Sequence, residues 1–230
     1  MSVTVGVVQF PGTNCELDVQ RAVRNLGGDA ELLWHADTTV HGVDAVVVPG
    51  GFAHGDYLRT GAIARFSPVM DAVAAFAATG GPVVGICNGF QVLTEAGLLP
   101  GALQKNAGLK FLCTTAQLRV ETADSALTNA CRVGDELAIP INHFEGNYVC
   151  DPAGLERLRA DDRVVVRYVD NPNGSLDDIA GICNEARNVV GLMPHPERAS
   201  DPMLGSDDGA VLLRSLLSAA AAGTPRQLVG

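Results

Sequence analysis

The 230-residue chain has no CxxC pair, no basic excess, no nucleotide-binding loop and no apolar run long enough to cross a bilayer. Each absence excludes something. Six cysteines scattered without paired spacing, in a chain long enough to bury a core, point to free thiols in a reducing compartment and not to a disulfide framework. A formal net charge of −10 sets up a field that repels phosphate backbones and anionic head groups, which excludes nucleic acid and membrane surface as partners. Residues 1–10 are apolar but carry no basic n-region and no small-residue cleavage site, and Pro11 with Gly12 interrupts them. They read as the first strand of a cytoplasmic protein. Neither GxxxxGK[ST] nor GxGxxG after a strand occurs, so no nucleotide site is expected in this chain. His35, Asp37, His41 and His54 match no HExxH or other metal spacing, and no metal is expected. With no internal repeat and no low-complexity linker, residues 1–230 are read as one domain.

What is present is an alternation. Short apolar runs at 3–9, 30–34, 45–48 and 83–86 are separated by amphipathic stretches at 14–26, 68–78 and 88–96. That β-α-β rhythm predicts an α/β fold, doubly wound around an open, mostly parallel sheet covered on both faces. Thr13 or Asn14 is expected to cap the first helix, with Leu17, Ala22, Val23 and Leu26 on its buried face; Ser67 and Pro68 are expected to open the second. From residue 109 the texture changes to strand-like runs at 109–120, 137–142, 164–169, 179–183 and 189–193. These add antiparallel strands to the second half. Asp207 and Asp208 suit the first turn of a C-terminal helix.

The chain is organised around V-V-G-I-C-N-G-F-Q at 83–91. A strand, a tight turn and a helix place Cys87 at a helix N-terminus, with Gly85 and Gly89 letting the backbone turn sharply, as in a nucleophile elbow. A buried thiol ending a core strand is the ordinary alternative. A second stretch, M-P-H-P-E-R at 193–198, supplies a partner. Pro194 and Pro196 hold it extended, so His195 and Glu197 point to one side, a base and its orienter; taken alone, a solvated surface pair is the better explanation of them. Parallel strands bring both stretches to the same sheet edge, which predicts acyl transfer through a Cys87 thioester. The oxyanion needs N–H donors, and Asn88, with Gly51 after the third strand, can supply them.

These residues carry a resemblance. G-I-C-N-G-F-Q with a late H-P-E resembles the triad, class I glutamine amidotransferases. F-P-G-T-N-C at 10–15, P-G-G-F-A-H-G-D-Y-L-R-T-G-A-I-A-R-F at 49–66, N-P-N-G-S at 171–175 and G-L-M-P-H-P-E-R at 191–198 are similar to the glutaminase subunits of phosphoribosylformylglycinamidine synthase. The resemblance covers nearly the whole chain. It implies a flavodoxin-like sheet, with Cys87 as nucleophile, His195 as general acid/base, Glu197 as its orienter, and the Gly51 and Asn88 N–H groups as the oxyanion hole. It also implies substrate contacts from Gln91 and from His143, Phe144 and Glu145, where relatives often read A-H-G-E-G and this chain reads N-H-F-E-G. The implied reaction is hydrolysis of glutamine, with ammonia passed to an ATP-dependent synthetase subunit, joined in some organisms by a small third subunit. ATP and Mg are expected on that partner and no cofactor here. Asp56, Tyr57 and Arg59 are read as part of the synthetase-facing surface. The competing readings are a glutaminase for another biosynthetic acceptor and a cysteine hydrolase or chaperone of the same fold.

Overall fold

Valine-rich runs build the centre of the molecule. In the computed structural model, which describes residues 2–223, the first half runs β1 (Thr4–Gln9), α1 (Glu16–Asn25), β2 (Asp29–Trp34), β3 (Ala45–Val48), α2 (Pro68–Ala78), β4 (Val83–Ile86) and α3 (Asn88–Glu95). The second half runs β5 (Ala102–Gln104), β6 (Leu112–Val120), β7 (Glu136–His143), β8 (Asn147–Val149), α4 (Pro152–Ala160), β9 (Val164–Tyr168), β10 (Ile179–Cys183), β11 (Val189–Leu192) and α5 (Ala210–Gly223). Nine strands form one sheet in the order β2-β1-β3-β4-β11-β10-β9-β6-β7, and β5 pairs with β8 in a separate ribbon. Pairing is parallel from β2 through β11 and antiparallel from β11 through β7. The parallel part has the doubly wound order 2-1-3-4-5, whose carboxyl edge is where ligands bind in this architecture.

Burial follows the two kinds of pairing. Every residue of β3, β4 and β11 is buried, as strands with layers on both faces must be. In β7, Leu137, Ile139 and Ile141 are buried while the residues between them are more exposed, the period-two pattern of a sheet with one solvated face. No helix among the described residues is long and apolar enough to cross a membrane, and all six cysteines are free thiols.

Several local expectations are corrected. Cys15, not Thr13 or Asn14, is the N-cap of α1, and it makes no side-chain cap bond. The Thr13 hydroxyl is occupied in closing the preceding turn, where it accepts the Phe10 N–H at 2.9 Å. Leu17 is 59% exposed; it lies out of phase with Val19, Ala22 and Val23, which share one helix face at i, i+3, i+4 spacing. Ser67 stands at the N-cap of α2 without a cap bond, and Pro68 alone does the work of starting the helix. Asp208 precedes α5 and accepts the Ala138 N–H at 2.7 Å, so it ties the helix to β7. The sequence reading lacked β5, β8 and α4. The last of these opens on an Asp151 N-cap that accepts the Gly154 N–H, a signal present in the sequence.

Candidate active site

At the end of β4 the chain doubles back on a single residue. Cys87 has φ 52° and ψ −107°, a conformation that costs a non-glycine residue about 1–3 kcal/mol and persists only where the surroundings enforce it. The enforcement is visible: the Cys87 N–H donates to Leu192 O of β11 at 2.8 Å, and its carbonyl accepts the Gln91 N–H. The flanking glycines do not make the turn. Neither Gly85 nor Gly89 has positive φ. A Cβ on Gly89 would lie 1.8 Å from the Val48 carbonyl oxygen, and one on Gly85 would lie 2.7 Å from the Gly89 backbone. Their smallness lets the first turn of α3 sit directly on β3 and β4. Cys87 is 6% exposed, with Sγ 3.7 Å from the Asn142 carbonyl.

The second stretch pairs as expected but by another route. Residues Pro196–Ala199 form a short 3-10 turn, not extended chain, with Pro196 at its first position. A proline restrains the residue before it, yet its fixed φ also suits the opening of a helical turn. The turn brings Glu197 beneath the ring, with His195 Nδ1 donating to Glu197 Oε1 at 2.7 Å. Both residues are 2% exposed, and His195 Nε2 is buried with no partner among the described residues. Burial pulls the imidazole pKa down, but the Glu197 carboxylate, then the Cys87 and Cys15 sulfurs, more than reverse this and hold it well above its ordinary value.

Gly51 follows β3 at φ 154°, where a Cβ would meet the Asn14 N and Thr13 Cα at 2.7 Å. No side chain fits there. Its N–H donates to no described backbone carbonyl, and Asn88, as the first residue of α3, leaves its N–H free of the helix ladder.

A cavity of about 470 Å³ opens over these groups. Gly51, Cys87, Gln91, His143, Phe144, Glu145 and His195 all line it. Asn88 and Glu197 do not line it: Asn88 is buried in the first turn of α3, and Glu197 borders a neighbouring cavity of about 490 Å³. The wall at 142–146 is held by side chains. Asn106 Oδ1 accepts from His143 Nδ1 and from the Gly146 N–H, each at 3.1 Å, while Nδ2 donates to His143 O at 3.0 Å. That fixes the proton on Nδ1. Burial, then the charge of His195, lowers the His143 pKa to about 4, so the ring is neutral. Asn173 Nδ2 and Ser175 Oγ both donate to Gly146 O, which explains what N-P-N-G-S does. Gly146 must stay bare because a Cβ would strike the His143 ring. Phe144 stands at no positive φ, and its carbonyl accepts the Asn106 N–H at 2.9 Å; the position tolerates a side chain.

The cavity is also lined by Cys15, Lys105 and Arg198, which sequence reasoning did not place there, and by Asp56, which it read as partner surface. Arg198 Nη2 donates to Cys15 Sγ at 3.1 Å, and that sulfur lies 4.0 Å from His195 Nδ1. Cys15 was visible in F-P-G-T-N-C, but nothing in its spacing to residue 195 announced contact. Cys15, His195 and Glu197 offer ligand atoms within 4.8 Å of one another; the Arg198 cation on the sulfur opposes a second positive charge there. Asp56 is raised to about 6 by burial, against a lowering hydrogen bond from Asn88, with the Glu145 carboxylate adding to the rise. Arg59, expected at a partner surface, is occupied in two 2.7 Å bonds to Glu95. Arg59 stays exposed all the same, as do its neighbours Tyr57 and Leu58, at 71% and 82%.

Known proteins share this arrangement of chain. A family model described as a CobB/CobQ-like glutamine amidotransferase domain matches residues 2–207. The phosphoribosylformylglycinamidine synthase subunit PurQ of Rubrobacter xylanophilus is 61% identical over 216 residues, covering 94% of this chain and 98% of that protein. The subunit of the same name from Koribacter versatilis is 54% identical over 226 residues, with coverage of 94% and 98%. A chain in the structure of PurLQS from Thermotoga maritima superposes with a TM-score of 0.87 at 41% identity, covering 95% of this chain and 99% of that one. At these identities and near-complete coverage, the chain belongs to the glutamine amidotransferases and, within them, to the PurQ subunits of phosphoribosylformylglycinamidine synthase.

Proposed function

We propose that the chain hydrolyses glutamine to glutamate and ammonia through a thioester on Cys87. It passes the ammonia to an ATP-dependent synthetase subunit, which converts formylglycinamide ribonucleotide to formylglycinamidine ribonucleotide in purine biosynthesis. The observation that carries the chemistry is the buried His195–Glu197 pair, whose remaining ring nitrogen is unpartnered on an imidazole that also feels the Cys87 sulfur.

The Cys87 sulfur attacks the carboxamide carbon, and the charge that develops on oxygen is met by the N–H groups of Asn88 and Gly51. His195 takes the Cys87 proton as the sulfur attacks, Glu197 orients and stabilises the imidazolium that forms, and the imidazolium gives that proton to the departing amine, which leaves as ammonia. The neutral ring then takes a proton from the water that attacks the thioester, glutamate leaves, and the thiol is restored. Gln91 and the wall at His143, Phe144 and Glu145 hold the amino-acid end. Exposed Tyr57 and Leu58 beside the cavity suit the synthetase-facing surface. ATP and Mg belong to that partner, which a small third subunit joins in some organisms. Six free thiols suit a reducing cytoplasm.

With the complex reconstituted, Cys87→Ala is expected to abolish glutamine-supported amidine formation while activity with added ammonium survives. Equal loss with both nitrogen sources overturns the glutaminase role, and intact glutamine activity overturns the nucleophile.

A further inference from the structure

The Asn88 carboxamide is fully engaged, at the point where three walls of the cavity meet. Its Oδ1 accepts the Ala53 N–H at 3.0 Å, and its Nδ2 donates to Asp56 Oδ1 at 3.2 Å and to Gln91 Oε1 at 2.8 Å. Gln91 Nε2 continues the chain of bonds to the Glu145 carbonyl. Asn88 is 2% exposed and Gln91 4%, so solvent competes with little of this chain. One end is the segment that begins at Gly51; the other is the wall that holds the substrate's amino-acid end.

The segment has other anchors, on the loop before α1 and, through Arg59, on Glu95 at the far end of α3. Phe52 N–H donates to Gly12 O at 2.8 Å and His54 N–H to Pro11 O at 2.7 Å, both in the loop between β1 and α1. At the start of α3, beside Cys87, the Asn88 side chain bonds the segment at both Ala53 and Asp56. Enforcement is needed there, because His54, Asp56 and Leu58 have φ of 54°, 51° and 71°, values that side-chain-bearing residues adopt only when held.

We propose that the Asn88 side chain is a positioning residue for the thioester chemistry: it fixes the spacing between the Gly51 N–H and the N–H of its own residue, and ties both to the substrate wall. The inference rests on reading Cys87 as the nucleophile. One residue then acts twice, its backbone toward the developing oxyanion and its carboxamide toward the loop that carries the other donor. Two donors stabilise one oxygen only if their separation is preset. Because Tyr57 and Leu58 directly follow Asp56, whatever docks on those exposed side chains acts on the same bond.

The test uses the full chain with its synthetase partner. Asn88→Asp keeps the shape and the acceptor for Ala53 but turns both donations into contacts between oxygens. A displacement of the order of an ångström lowers rate about 100-fold, so kcat for glutamine hydrolysis is expected to fall by roughly that factor, more than KM rises, with ammonium-supported activity unchanged. Adding Asp56→Asn returns a donor to the pair, and the double variant is expected to regain about 10-fold in kcat, which a merely structural asparagine would not allow. A kcat within about threefold of the parent for Asn88→Asp, or a double variant no better than the single, overturns the inference. If Asn88→Asp fails to fold, Asp56→Ala reads the same link from its half-buried end: a kcat about 10-fold lower supports the inference and an unchanged kcat overturns it. Cys87→Ala assayed alongside separates the two levels. Glutamine activity surviving in that variant overturns the nucleophile, whereas its loss beside a normal Asn88→Asp overturns only the positioning role.

Discussion

The two sides of the cavity are built on different principles. On the parallel side, Gly51, Cys87 and His195 leave β3, β4 and β11 within a few residues of the strand ends, and their places follow from strand register and from close approach at Gly85 and Gly89. On the antiparallel side, the wall beyond β7 is placed by the amides of Asn106 and Asn173 and the hydroxyl of Ser175. A site held by backbone fails when an atom is added. One held by side chains fails when an atom is removed.

That contrast can be broken or sharpened by substitution. The largest effect is expected from Gly89→Ala, whose new methyl would overlap the Val48 carbonyl oxygen. With backbone on both sides it cannot be accommodated by a rotamer change, and a stability loss of about 3 kcal/mol or more in urea melts is expected. Next is Asn106→Ala, which strands the His143 Nδ1–H and the Gly146 N–H and costs about 2–3 kcal/mol. In kinetics it should raise KM for glutamine more than it lowers kcat. If instead kcat falls and KM holds, the wall belongs to the chemistry and the contrast dissolves. Smaller still, Cys87→Gly relieves a strain of about 1–3 kcal/mol that Cys87→Ala retains, less about 0.5–1 kcal/mol for glycine's added chain entropy. The glycine variant should therefore melt above the alanine variant while both lack glutamine activity.

The smallest effect is a change of slope with pH. The His143 pKa is lowered to about 4 from 6.5. As pH falls through that window the unfolded chain takes a proton the folded one refuses, so stability is lost. Asp56 is raised to about 6 from 3.8. Across nearly the same window the folded state holds a proton the unfolded state has released, so its contribution improves as pH falls. The two sides of the cavity thus oppose one another. Asp56→Asn removes one of them and should lose more stability than the parent between pH 6.5 and 4.5, measured by denaturant midpoint; an identical slope would refute the opposition.

The parallel side was the legible one. Runs such as A-V-V-V and V-V-G-I are buried on both faces and have few alternatives, and topology then brings Cys87 and His195 to one edge. Even there the reasons were partly misplaced. The glycines beside Cys87 serve packing and not the turn, because space between a helix and a strand is invisible to local pattern. The His195–Glu197 pair forms in a 3-10 turn that proline's fixed φ permits as readily as extended chain. The antiparallel side was hidden for a different reason. Asn106 meets His143 and Asn173 meets Gly146 across long stretches of sequence, and an asparagine in a loop gives no sign of which distant carbonyl or ring it will bond.

The register between β4 and β11 has a further consequence, in time. Gly85 pairs with Gly191 and Ile86 with Leu192, and the ring of Phe90 occupies the place where a Cβ on Gly191 would sit. The strand that leads to His195 therefore completes the seat of Cys87, and it is made late in synthesis. A nascent chain that has exposed Cys87 has not yet emerged as far as His195, so the imidazole reaches the thiol only through a contact of long sequence separation. If Cys87 and His195 work as proposed, a chain still being made spends no glutamine.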